Sequence, residues 1–171
     1  VTEYDLRCLM RTALHQDGPM AIRYPRGSGS GPEWERTPEP LPVGKGRELL
    51  SAPDAEIAIA TIGPAGLDAE EAAREAGDVA VYDMLWLKPL DTELLDEVGR
   101  TFRRVITVED GCLRGGVGEA VAAYFNARGY DAHVTCLGIG DAWVEHGTPE
   151  QLHALCGYDE ESILRALTQP V

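Results

Sequence analysis

Lysine is nearly absent from this sequence. Lys45 and Lys88 are its only two, the 15 Lys and Arg residues face 29 Asp and Glu, and the formal net charge is −14 at pH 7. Nucleic-acid phosphates are bound by clustered positive charge, so this balance excludes a nucleic-acid binder. Long hydrophobic runs are lacking as well. Nothing approaches the roughly 20 apolar residues of a membrane span, and Val1 begins neither the basic start nor the apolar core of a signal peptide. The expected protein is soluble and cytoplasmic. No CxxC pair occurs: Cys8, Cys112, Cys136 and Cys156 are scattered, which points to buried free thiols in a reducing compartment and to no zinc site. A GxSxG elbow, an HExxH helix and a Walker loop are missing too. His146 stands just before a helix-capping box, and His133 and His153 lack the one-turn spacing of helical metal ligands, so all three read as loop or surface residues. The acidic excess fits either ordinary solubility or adaptation to high salt.

What is there is enough for one well-buried core: 171 residues, 44% of them hydrophobic, with no room for a second full domain. The opening "VTEYDLRCLM" has no initiator methionine and already lies in a helical pattern, so the chain reads as a piece of something longer. Thr2 is placed to cap a helix with Leu6, Leu9 and Ala13 on one face, and a strand is expected over Met20 to Tyr24. From Gly27 to Leu41, "GSGSGPEWERTPEPL" is dense in Gly, Ser and Pro and reads as an interdomain linker.

Beyond it, strands and helices alternate. Strands are expected at Val43 to Leu49, Glu56 to Thr61, Val79 to Asp83, Arg104 to Asp110 and Ala132 to Gly138. Between them lie a helix from Ala65 to Ala76 stopped by Gly77, one capped by Asp91, and one turning Val117, Val121 and Tyr124 inward. Thr148-Pro-Glu-Gln151 is a capping box with proline at the first helical position, Gly157 stops that helix, and Asp159 caps a last one bearing Ile163 and Leu167. The expected fold class is α/β, a mostly parallel sheet with helices on both faces.

Three stretches carry candidate chemistry. In "EDGCLRGGVGEAV", Gly116 and Gly118 open a helix whose start suits a phosphate, but Val121 stands where a third glycine belongs and no acidic residue ends the next strand; a glycine turn for close packing explains the pattern better. Glu109 and Asp110 end a strand where acid/base groups gather, and where carboxylates also cap the following helix. "RYPRG" joins two guanidinium forks to a proline-stiffened turn, fit for an anion clamp or for a solvated strand end. Spacing leaves both open.

Five segments, "DGPMAIRYPRGSG", "LPVGKGREL", "VYDMLWLKPLD", "VITVEDGCLRGGVGEAV" and "LGIGDAWVEHGTPEQL", together resemble the C-terminal part of the 1-deoxy-D-xylulose-5-phosphate synthase family, transketolase-like enzymes that use thiamine diphosphate. The resemblance covers nearly the whole chain. The IRYPRG and KPLD segments favour this family over transketolase itself and over the β subunits of 2-oxoacid dehydrogenases. It implies that residues 1–30 are the tail of a pyrimidine-binding domain, residues 31–41 a linker, and residues 42–171 a transketolase C-terminal domain. The implied reaction condenses pyruvate with glyceraldehyde 3-phosphate with loss of carbon dioxide, the first step of the non-mevalonate isoprenoid pathway and a source of thiamine and pyridoxal precursors, in a homodimer.

Thiamine diphosphate and Mg2+ are expected to bind upstream, because the family's GDG motif is absent here. The piece is therefore expected to be inactive alone, with no catalytic, cofactor or metal residue of its own. Arg26 matches the arginine that contacts the acceptor's phosphate, and Arg23 a structural one. At Gly111, Cys112, Leu113 and Arg114 the sequence departs from the "EENAIMGG" form, which leaves an interface role of that loop open. The alternative from a different class is a free-standing noncatalytic dimerisation or regulatory module.

Overall fold

The computed structural model describes residues 2–25 and 35–169. Thr2 opens α1 (Glu3–Ala13): its hydroxyl accepts from the Asp5 amide while the Asp5 carboxylate accepts from the Thr2 amide, satisfying donors that a helix start leaves bare. Then follow β1 (Arg47–Leu50), β2 (Ile57–Ile62), α2 (Ala65–Ala76), β3 (Val79–Asp83), α3 (Thr92–Thr101), β4 (Arg104–Cys112), α4 (Val117–Arg128), β5 (His133–Ile139), α5 (Pro149–Cys156) and α6 (Glu160–Thr168). The expected punctuation is present. Gly77 ends α2 at φ 69°, Asp91 accepts from the Glu93 and Leu94 amides, and Gly157 ends α5 in the left-handed region.

The five strands form one sheet in the order β1-β3-β2-β4-β5, parallel except for β1, which runs antiparallel along one edge. The central strands read as unbroken apolar runs because both faces are covered. Alternation sorts them: Ala58, Ala80, Tyr82 and Val105 pack beneath α3 and α4 against Leu95, Val98, Val121 and Phe125. Ile59, Val81, Ile106 and Val108 face the other way, onto the alanines of α2 and onto Ile163 and Leu167 of α6. Small side chains at Ala69, Ala72 and Ala73 let α2 lie close to the sheet and to α6. The strand order reverses between β2 and β4, so a crevice belongs at their carboxyl ends.

Some expectations give way. Met20 to Tyr24 forms no strand: it pairs with none of the five, and an extended segment becomes a strand only where a neighbour supplies the ladder. β1 starts at Arg47 rather than Val43, because the chain turns at Gly44 (φ 72°) with the Lys45 amide bonded to the Pro42 carbonyl. α1 turns Asp5, Cys8 and Thr12 inward, leaves Leu6, Leu9 and Ala13 half-buried, and exposes Met10 and Leu14. On α4 the third inward residue is Phe125, while Tyr124 lies half-buried with its hydroxyl on Asp96 at 2.8 Å. All four cysteines are free, but only Cys8 is buried; Cys112 is exposed at the end of β4, opposite Ile139 of β5. Residues 35–41 lie along α1, with the Tyr4 hydroxyl donating to the Thr37 carbonyl and the Leu41 amide to Thr12 Oγ1 at 2.7 Å.

Candidate functional site

The carboxyl ends of the strands gather the charged groups. Glu109, only 5% exposed near the end of β4, turns its carboxylate onto the start of α4 and accepts from the Val117 amide at 3.1 Å and the Gly118 amide at 2.9 Å. This helix start therefore already holds an anion, the chain's own, and has no place for a nucleotide phosphate. The glycines serve packing: a Cβ on Gly118 would stand 2.5 Å from Thr107 Oγ1, and one on Gly116 2.5 Å from Glu109 Oε1.

One residue further, β4 bulges. Its pairing with β2 ends at Glu109, and its pairing with β5 skips from Val108 to Cys112, so Asp110 has no register partner on either side. Two groups come to it. The Tyr158 hydroxyl, on a side chain 2% exposed, donates to Asp110 Oδ1 at 3.0 Å. Arg23 Nη2 donates to the Asp110 main-chain carbonyl at 2.7 Å, across 87 residues of sequence. Burial, and next the Asp110 carboxylate, push the Tyr158 hydroxyl well above the ordinary tyrosine range, so it stays a donor. Gly111 leaves room for the Glu109 carboxylate, since a Cβ there would lie 2.9 Å from Glu109 Oε2.

The first arginine of the RYPRG turn is thus tied to the sheet's carboxyl edge. The second, Arg26, lies outside the described residues. Tyr158 was not singled out by sequence reasoning; its one signal is its position just after the helix-ending Gly157, where an apolar contact commonly seals the motif.

A second polar knot binds α1 to the sheet. Arg47 Nη2 reaches Asp5 Oδ2 at 2.7 Å and Asp83 Oδ2 at 3.1 Å. Burial pushes the Asp5 carboxyl up, but the bond from Arg47 and the added positive field outweigh it and hold Asp5 well below the usual carboxylate range. Asp83 is wholly buried, and there desolvation wins and raises the carboxyl despite the Arg47 charge. Asp5 stands in the capping box of α1 and Asp83 ends β3, and nothing local to either marks their joining through Arg47.

The histidines stay apart. His133 and His146 are exposed, and His153 stacks 4.7 Å from the Tyr158 ring with Asp68 Oδ2 at 3.7 Å from its Nδ1. Among the described residues no group of His, Cys, Asp and Glu is arranged to hold a metal ion, and no helix is long and apolar enough to cross a membrane. With its amides taken by Glu109, the α4 start does not fit a diphosphate.

Residues 46–163 match the family described as transketolase, C-terminal domain. The chain is 47% identical over 173 aligned residues to a 1-deoxy-D-xylulose-5-phosphate synthase of Bacteroides fragilis, and 45% identical to one of Parabacteroides distasonis. Each alignment takes in 98% of this chain but only 26% and 27% of those proteins, so the chain spans about a quarter of the length of the curated relatives it matches. Among solved structures, a split-gene transketolase described as an inactive β4 tetramer superposes with a TM-score of 0.81 at 28% identity, over 98% of this chain and 55% of that one. The sheet order, the helix layers and these likenesses agree, and the chain belongs to the transketolase C-terminal domain family.

Proposed function

We propose that this chain is the C-terminal part of a 1-deoxy-D-xylulose-5-phosphate synthase, a transferase that condenses pyruvate with glyceraldehyde 3-phosphate with loss of carbon dioxide. In this reading residues 1–30 finish the pyrimidine-binding domain, residues 31–41 link, and residues 42–171 form the C-terminal domain of a cytoplasmic homodimer. Thiamine diphosphate supplies the carbon–carbon chemistry when bound, and it and Mg2+ are held by other parts of the whole protein. The segment alone neither binds them nor catalyses. The observation that carries the reading is the seating of Arg23, the first arginine of the RYPRG sequence, on the Asp110 carbonyl at the carboxyl edge of the sheet. The similarity to named synthases along 98% of the chain supports it. So does the outward apolar side of α1, with Leu14 84% exposed, which suits a helix whose remaining partners belong to a different domain.

Arg26 is the proposed acceptor-phosphate residue. In the whole enzyme Arg26→Ala removes a charge-assisted bond of about 1.5–3 kcal/mol, so kcat/KM for glyceraldehyde 3-phosphate falls at least about tenfold. Pyruvate, which has no phosphate, is spared. Arg26→Lys restores part of the loss, because a point charge lacks the planar fork. Steady-state kinetics with each substrate varied separately checks this; equal losses for both substrates, or none, remove Arg26 from the phosphate site.

The split-gene transketolase favours a second reading, a separate noncatalytic subunit. The coding sequence upstream of Val1 separates the two: a continuous frame with a GDG motif supports the synthase, and a start codon at Val1 the subunit.

A further inference from the structure

We propose that the β4 bulge at Glu109–Gly111, braced by Tyr158, is a built seat for Arg23 that fixes where the chain stands as far as Pro25, which makes Tyr158 and Asp110 positioning residues for that segment. Its bearing on the acceptor rests on the reading of Arg26 given above; the seat itself does not. In a regular strand the Asp110 carbonyl would be spent on a neighbouring strand. Here the register shift leaves that residue without a ladder partner on either side, and its carbonyl receives Arg23 at 2.7 Å instead.

A bulged peptide needs its own restraints, and both flanks have one. Glu109 is pinned by two amides of α4, and the Asp110 carboxylate by the buried Tyr158 hydroxyl at 3.0 Å. Tyr158 is itself placed by the left-handed end of α5 at Gly157 and by packing among the core residues under α2 and α6. Gly111 completes the seat, because the Cβ of any other residue would stand 2.9 Å from Glu109 Oε2 and crowd the carboxylate that pins the bulge. The seat thus lies wholly in the unit that carries the sheet, while the residue seated lies 87 positions away, before the linker. Pro25 fixes its own φ two positions after Arg23, and Arg26 follows it directly in the sequence, so the seat bears on the residue read above as the phosphate contact.

The test is nitrogen-15 NMR of arginine side chains in the 171-residue chain. A guanidinium held by an acceptor rotates slowly about its Cζ–Nε bond and shows resolved Nη signals. Arg23 should show them in the native chain and lose them in Tyr158→Phe and in Asp110→Ala, with the double variant no worse than either single one. Arg104, whose guanidinium donates to the carbonyls of Ala166, Leu167 and Gln169, is the internal control and should not change. Averaged Arg23 signals in the native chain, or resolved signals surviving in both variants while Arg104 is unchanged, overturn the seat. In the whole enzyme, Tyr158→Phe should raise KM for glyceraldehyde 3-phosphate about three- to tenfold at nearly constant kcat and pyruvate KM. An NMR change without that split upholds the seat and overturns the phosphate reading of Arg26.

Discussion

Asp5 and Asp83 share one arginine and respond to it in opposite ways. Asp5 titrates below its unfolded value, so its bond to Arg47 adds stability at neutral pH that is lost as the pH falls through the folded pKa. Asp83 titrates above its unfolded value, so its contribution is present at low pH and is lost as the pH rises through the folded pKa. Asp5→Asn also removes a like charge that helps to raise the Asp83 carboxyl, so the two contributions are coupled and the variant reports on the knot as a whole. That variant should lose about 1.5–3 kcal/mol at neutral pH, and the gap should close as the pH falls below about 4, read as urea midpoints across a pH series. Glu109 is the other residue on which much depends. Glu109→Ala strips two buried amides of α4 of their acceptor and should cost about 2 kcal/mol or more by chemical denaturation.

α1 attaches to the rest of the molecule by polar groups and keeps much of its apolar side outside. Leu14→Gln should change the stability of this chain by no more than about 0.5 kcal/mol, because the side chain touches little but solvent. In the proposed whole enzyme, where another domain covers that side, the same change should cost about 1.5–3 kcal/mol. Thr12→Val should destabilise in both settings, since it leaves the Leu41 amide without its acceptor. On one face of the sheet, α3 and α4 are joined through Asp96, which accepts from Tyr124, Tyr130 and Arg128. The Arg128 pair lies at the surface, so the two tyrosines carry the more durable part of the join.

The whole molecule carries a formal charge of −14 on 18.5 kDa, with 29 acidic groups set against 15 basic ones. Its surface repels itself at low ionic strength, and salt shortens the reach of that repulsion to about 3 Å at 1 M. The melting temperature should rise from low salt to molar potassium chloride, followed by circular dichroism; a flat curve would assign the acidic excess to solubility alone. The local ion pairs, mostly exposed, weaken under the same screening and set a limit on the gain.

Much of this architecture was legible residue by residue, because its signals are local. Apolar runs bounded by glycine marked β2, β3 and β4, and side chains one turn away from the amides they cap marked the starts of α3, α5 and α6. Such contacts span three or four positions, so adjacency in the chain decides them. The exchange of a dinucleotide loop for a packing turn was visible as well, in Val121 standing where a glycine was needed. What the sequence left undecided was everything joined across distance. Whether Met20 to Tyr24 becomes a strand depends on a neighbour, which side of α1 turns inward depends on Arg47, and what Arg23 holds depends on a bulge 87 residues away. Periodicity tells which residues share a face, whereas only the packed sheet decides what that face meets, because a buried charge goes where its partner waits rather than where the apolar stripe points.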